Sequence, residues 1–374
     1  MPGPSSTVHG DGNVELHRAH RRFPGGGGPA WTPRRVLSVN ASADALQRPA
    51  RLAWAVLGGL AWLLLVGTAS AQGCKLSQVA EWTLRAGAQH LVIDGAINGQ
   101  PVGVALDTGA ARSVILRSTA VRLDLPRAEA RGMRLYGVGG ESKVEVAQVD
   151  DLRLGGVSTP GIALYVAGEV AFGGGVDVLL GHDFLAKFDL EFDLADHKVR
   201  LFRPQGCDDV SLAYWTRETA GQVALESITA RQSRIAFTVE VNHARIPALL
   251  DSGAPASILS KAHAESVGVV PGGSGVTAAA PLRGLGAGSV PSWIGTFEMF
   301  AIGNESMAHV RLRFADLYAD TAHAPTGSRI ARTAAPTQPM LLGADFLRAH
   351  RTFVAHSQQR MYFTYSGGPV FQVP

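Results

Sequence analysis

Between His90 and Asp107 the chain reads HLVIDGAINGQPVGVALD, with apolar and polar positions alternating on both sides of Asn98-Gly99. A period of two marks a half-buried strand, and Asn-Gly between two such runs is a strong hairpin signal. The pattern therefore predicts a hairpin whose second strand ends on Asp107. IAFTVEVNHARIPALLD repeats it around Asn242-His243 and ends on Asp251. Extended segments flank Gly-rich tips at YGVGG (136–140) and RGLGAG (283–288), and HKVRLF and QRMYFTY read as closing strands. Long helical patterns are few, while 44 Gly and 20 Pro punctuate the chain. Short strands joined by tight turns, an all-β protein, are expected.

The pattern occurs twice. Shifting the sequence by 144 residues superimposes Asn98 on Asn242, Asp107 on Asp251, Gly109 on Gly253, Ala110 on Ala254 and Ser113 on Ser257. Later, LLGHDFLAKF (179–188) answers LLGADFLRAH (341–350), with the offset grown to 162. Four landmarks in one order indicate an internal duplication. The expected organisation is a leader at 1–71, a first lobe at 75–203, a connection at 204–218 and a second lobe at 219–374. Much of the extra length of the second copy falls in a Pro/Thr/Ala-rich loop at 320–339.

Composition sharpens this picture in two places. Hydrophobic residues at 46% and charged ones at 17% describe a globular chain rather than a disordered one. Residues 1–51 hold seven Arg against three acids, whereas 72–374 hold 27 basic and 28 acidic residues. The basic excess belongs to the leader, and a nucleic-acid surface is not expected. After Arg51 comes an uncharged run, LAWAVLGGLAWLLLVG, and then Ala69-Ser70-Ala71 before Gln72, the order of a secretory signal with its cleavage site. An exported protein, periplasmic or secreted, is expected. The alternative is an uncleaved membrane anchor, because 52–74 is uncharged and long enough to span a bilayer. The only cysteines, Cys74 and Cys207, would both be exported. An even pair in an oxidising compartment favours a disulfide clamping the N-terminus to the connection, with two unrelated thiols as the alternative.

Chemistry concentrates at the repeated aspartates. An Asp closing an apolar strand needs donors, or its pKa rises. The turns Asp107-Thr108-Gly109 and Asp251-Ser252-Gly253 supply backbone amides and a hydroxyl, and their glycines let the backbone approach closely. Two such turns meeting at a pseudo-twofold axis would hold two carboxyls that cannot both ionise easily, so one keeps a proton. The charged member can deprotonate a water while the neutral one polarises a carbonyl, which is amide hydrolysis without metal or covalent intermediate.

ALDTGAARSVI, GVGG and LLGHDFL resemble the catalytic turn, flap tip and hydrophobic-hydrophobic-Gly segment of retropepsin-like aspartic proteases. The whole chain from about Cys74 is similar to bacterial exported members with two units in tandem, a bilobed arrangement shared with pepsins. The resemblance implies an all-β, bilobed acid-protease fold acting as a monomeric endopeptidase on an extended peptide or protein, with no cofactor. It implies Asp107 and Asp251 as the catalytic dyad, and Thr108 and Ser252 as hydroxyls tying the two loops together. Gly109 and Gly253 would complete the turns. Tyr136, Gly137, Gly139 and Gly140, with Gly284 and Gly286, would form flaps. Leu180-Gly181 and Leu342-Gly343 would thread beneath the active-site loops, with short helices from Asp183 and Asp345. His182 and Ala344 stand where the retroviral pattern has Arg, and His182 is expected at the surface or in a supporting position. Ala110 and Ala254 stand where pepsins often have Ser, so a dyad titrating higher than in a stomach enzyme, and activity in mild acid, are expected. The 12 His are scattered without ligand spacing, and no metal site is expected. The rival reading is a non-catalytic module that keeps the fold and holds a peptide or glycan between the lobes.

Overall fold

The computed structural model describes residues 73–168, 172–227, 234–317 and 339–371. The expected leader at 1–71 and the loop at 320–338 lie outside the described residues. Among the described residues, no helix is long and apolar enough to cross a membrane.

The first half runs β1 (Lys75–Thr83), β2 (Val92–Ile97), β3 (Gln100–Leu106), β4 (Val114–Leu116), α1 (Arg117–Arg122), β5 (Arg127–Gly137), β6 (Gly140–Leu154), β7 (Val157–Ala167), β8 (Val178–Leu180), α2 (His182–Leu185), β9 (Asp189–Asp193) and β10 (Lys198–Gln205). The second runs β11 (Gly221–Ala224), β12 (Ala236–Val241), β13 (Ala244–Leu250), β14 (Ile258–Ser260), α3 (Lys261–Ser266), β15 (Thr277–Leu282), β16 (Val290–Ile302), β17 (Glu305–Ala315), β18 (Met340–Leu342), α4 (Ala344–Ala349), β19 (His350–Ala355) and β20 (Arg360–Tyr365).

Each half builds a seven-stranded sheet, in the order β2-β3-β8-β4-β7-β6-β5 and β12-β13-β18-β14-β17-β16-β15. A further pairing, β2 with β6 and β12 with β16, closes six strands of each sheet into a barrel. Closure removes the barrel's open edges and leaves β5 and β15 as outer members of the hairpins that carry the Gly-rich tips. The two hairpins before the aspartates turn at Asn98-Gly99 and Asn242-His243, all four with positive φ, which is the backbone that matches strand twist in a two-residue turn. Asn98 Oδ1 also accepts from the amides of Asp150 and Asp151 at 2.9 and 3.0 Å, and Asn242 Oδ1 accepts from Met299 N at 3.2 Å. Each Asn therefore pins its hairpin to the strand that closes the barrel.

A third sheet, β1-β10-β9-β19-β20-β11, takes three strands from each half and joins them where β9 meets β19. Glu191 on β9 is wholly buried there. It accepts from Arg351 Nε and Tyr214 Oη, each at 2.7 Å, and lies 3.4 Å from Arg200 Nη1. Asp193 takes Arg200 at 2.9 Å, and the Arg351 guanidinium stacks over Trp215. Phe202, Leu212, Ala213, Phe353 and Tyr362 pack into an apolar cluster with Cys207, which is bonded to Cys74.

Candidate active site

Strands β3 and β13 run directly into the two repeated turns. Asp107 N donates to Leu180 O at 3.0 Å and Asp251 N to Leu342 O at 2.9 Å, so β8 and β18 hold the base of each turn. β8 lies parallel to β3 and antiparallel to β4, threaded between them, and β18 repeats this in the second lobe. The threading is locked by Ser113, whose amide and hydroxyl both donate to Asp183 while its oxygen accepts from Gly181 N. Ser257, Asp345 and Gly343 make the same set in lobe 2.

The turns grip one another across the pseudo-twofold axis. Thr108 Oγ1 donates to Leu250 O at 2.7 Å and accepts from Ser252 N at 3.0 Å. Ser252 Oγ donates to Leu106 O at 2.7 Å and accepts from Thr108 N at 3.0 Å. Both hydroxyl residues are fully buried and fully satisfied as donor and acceptor. Gly109 and Gly253 bring the carboxyls together by lacking a side chain. A Cβ on Gly109 would lie 2.4 Å from Asp251 Cγ, and one on Gly253 would lie 2.4 Å from Asp107 Cγ.

Asp107 Oδ1 accepts from Ala110 N at 2.8 Å, and Asp251 Oδ1 accepts from the amides of Gly253 and Ala254, each at 3.1 Å. Burial, then the charge of Asp251, pushes Asp107 far above the usual carboxylate range. Burial also raises Asp251, against its amide donors and the positive charge of Arg234. Two carboxyls in hydrogen-bond contact share a proton.

Two residues outside the expected set also reach these turns. His90 Nδ1 bonds Gly253 O at 3.0 Å, and Arg234 Nη1 donates to Gly109 O at 3.3 Å. The 144-residue shift that aligns the aspartates also aligns these two, which was the available signal. It was obscured because one is His and the other Arg.

Both Gly-rich tips take part in one contact. Gly286 N donates to Val138 O at 3.2 Å and Gly288 N to Gly139 O at 2.8 Å. A Cβ on Gly286 would lie 2.1 Å from Gly139 O, and one on Gly139 would lie 2.6 Å from Gly288 O. Gly284 and Gly137 face Val138 and Leu285 in the same contact. Val138 packs on the apolar cluster of lobe 2, around Leu249, Ile258 and Leu341; Leu285 packs on that of lobe 1, around Val92, Val114 and Leu179. The second tip is thus paired with the first, and Tyr136 stands half-buried beside it.

His182 is buried rather than superficial, because α2 tucks under the first turn with His182 N bonded to Ala110 O. Its ring packs edge-on to His356, with centroids 5.3 Å apart. Both His182 ring nitrogens and His356 Nε2 are without a partner among the described residues. Burial, then the charge of Arg234, pushes His182 down to about 4; burial, then His182, pushes His356 down to about 3. Folded values below the unfolded one mean that the unfolded chain takes these protons first. The stability is complete above pH ~6.5 and is lost as pH falls towards the folded values. Replacing His182 with Leu is expected to flatten that fall by about one proton, ~1.4 kcal/mol per pH unit. Urea unfolding between pH 6 and 4 reads the slope, and an unchanged slope would contradict it. Among the described residues, no group of three or more His, Cys, Asp and Glu could hold a metal.

Residues 93–187 match the family described as "gag-polyprotein putative aspartyl protease". Residues 237–346 match the family described as "Aspartyl protease". A search of curated proteins returned no match. Among solved structures, a retropepsin-like aspartic protease from Rickettsia conorii matches at 18% identity and a TM-score of 0.25, covering 35% of this chain and 94% of its own. Two aspartyl-protease matches in tandem, one on each barrel and each containing one of the paired aspartates, identify the chain as two aspartyl-protease units in a single polypeptide.

Proposed function

We propose that the chain is an aspartic endopeptidase in which Asp107 and Asp251 jointly activate one water. The carrying observation is the reciprocal grip of the two turns, which sets the carboxyls in contact on fully satisfied supports. The ionised carboxyl removes a proton from water as its oxygen bonds to the peptide carbon. The neutral carboxyl meanwhile protonates the carbonyl oxygen, giving a tetrahedral diol. Collapse of the diol breaks the C–N bond as a proton passes to the leaving nitrogen, and the dyad returns to one shared proton. The paired tips act as flaps that part to admit an extended peptide. Export, and a single chain as the working unit, complete the reading.

The testing experiment is hydrolysis of a peptide library in mild acid, with and without a statine-type peptide whose hydroxyl mimics the diol. Cleavage that the mimic abolishes, at a specific activity independent of enzyme concentration, is expected. Binding without cleavage would favour the non-catalytic module. Specific activity that rises with concentration would mean that two chains supply the site.

A further inference from the structure

We infer that Arg234 decides which aspartate carries the dyad's charge, acting as a positioning residue that makes Asp251 the ionised, water-activating member and Asp107 the neutral one. The inference rests on the endopeptidase reading and adds direction to it.

The geometry begins with a symmetry that the side chains break. Leu91 O accepts from Leu106 N and Ile235 O from Leu250 N, each at 2.9 Å, so the residues just before them occupy equivalent places beside the two catalytic strands. Those residues are His90 and Arg234. Each belongs to one lobe and grips the carbonyl of the other lobe's catalytic glycine, at 3.0 and 3.3 Å respectively. The backbone contact is shared, but the charge is not. A guanidinium is permanently positive, whereas His90 is half-buried and held below its ordinary value because burial, with Arg348 also opposing its charge, outweighs the Gly253 carbonyl and the Asp251 charge that favour its protonation. At neutral pH one clamp is charged and the other is not.

That difference falls unequally on the dyad. Arg234 holds Gly109, the glycine that faces the Asp251 carboxyl (a Cβ there would lie 2.4 Å from Asp251 Cγ), and its positive charge opposes the rise of Asp251. His182, beside Arg234, is neutral above about pH 4 and leaves the guanidinium as the fixed charge there. Both carboxyls accept amides of their own turns, so the charge of Arg234 is what distinguishes them. An anion stabilises where donors and a cation converge. The pair therefore ionises at Asp251, and Asp107 keeps the proton that polarises the scissile carbonyl.

The test compares the full chain with Arg234→Gln and with Arg234→Met, which keeps the aliphatic stem, and uses Arg234→Lys to retain the charge. Two readouts are needed: the pH–kcat profile on a peptide, and titration of the Asp carboxyl signals by ¹³C NMR, assigned by comparison with Asp107→Asn and Asp251→Asn. Both neutral variants should raise the acid limb, and the Asp251 titration with it, by about one pH unit, while Lys leaves both near wild type. A structural role alone would lower kcat without moving either. Unmoved titrations in the neutral variants, or an equal shift in the Lys variant, would overturn the inference. If the wild type cleaves no peptide but the Asp251 titration still moves, the protease reading fails and the charge assignment stands.

Discussion

Asp107→Asn and Asp251→Asn are each expected to lower kcat for peptide hydrolysis by ~10³-fold while raising the melting temperature at neutral pH. The first effect follows because neither carboxyl can do the other's work. One must accept a proton from water and the other must donate one, and an amide does neither at this pH. The second effect follows from linkage. Both folded carboxyls titrate above their unfolded values, so the folded chain binds more protons than the unfolded one over that interval. The site's penalty is absent below the unfolded carboxyl value near pH 4, and stability falls as pH rises through the folded values. Replacing one buried acid with its neutral isostere removes that penalty, and the turn amides keep an acceptor in the Asn oxygen. Single-turnover kinetics and calorimetry at pH 7 check the two halves. Wild-type turnover in either variant would end the shared-dyad mechanism, and a lower melting temperature would assign these acids a structural role instead.

Glu191→Ala is expected to cost ~3–5 kcal/mol of stability, the range for removing one partner of a buried ion pair. Glu191 is the wholly buried acceptor for Arg351 and Tyr214, with Arg200 close by. Without it, Asp193 is left as the acceptor for both arginines, and the Tyr214 hydroxyl loses its carboxylate. The loss falls where β9 of one half meets β19 of the other, so lobe orientation should loosen as well. Glu191→Gln keeps an acceptor but not the charge, and should fall between wild type and Ala. Guanidinium unfolding measures all three. A loss below ~1 kcal/mol for the Ala variant, the scale of an exposed pair, would show that the network contributes little.

The duplicated alternation around Asn98 and Asn242, and the Leu-Leu-Gly segments, are local in sequence and were legible there because strand period and turn chemistry are local properties. The Thr108–Ser252 grip was readable only through resemblance, since its four hydrogen bonds span 142–146 residues. The His182–His356 pair left no readable trace. His182 sits in a motif and His356 in an ordinary turn, and nothing in either spacing foretells that their rings meet. The shared six-stranded sheet was hidden for the same reason: HKVRLF and QRMYFTY, which lie in β10 and β20, read as ordinary closing strands, and the joining of β9 to β19 is set by packing between halves.

By itself, the sequence determined that this chain is all-β, duplicated, and built around an Asp-hydroxyl-Gly turn in each copy. Those features follow from residue period, turn preference and repetition, which need no partner to be read. Only the tertiary structure decided which groups surround each acid. Burial depth, the approach of Gly109 and Gly253 to the opposite carboxyls, and the unequal clamps His90 and Arg234 come from closing two barrels against each other. Electrostatic energy depends on distance and desolvation, and neither is written along a chain. Two nearly identical turns therefore acquire different charges through neighbours that their own sequence does not contain.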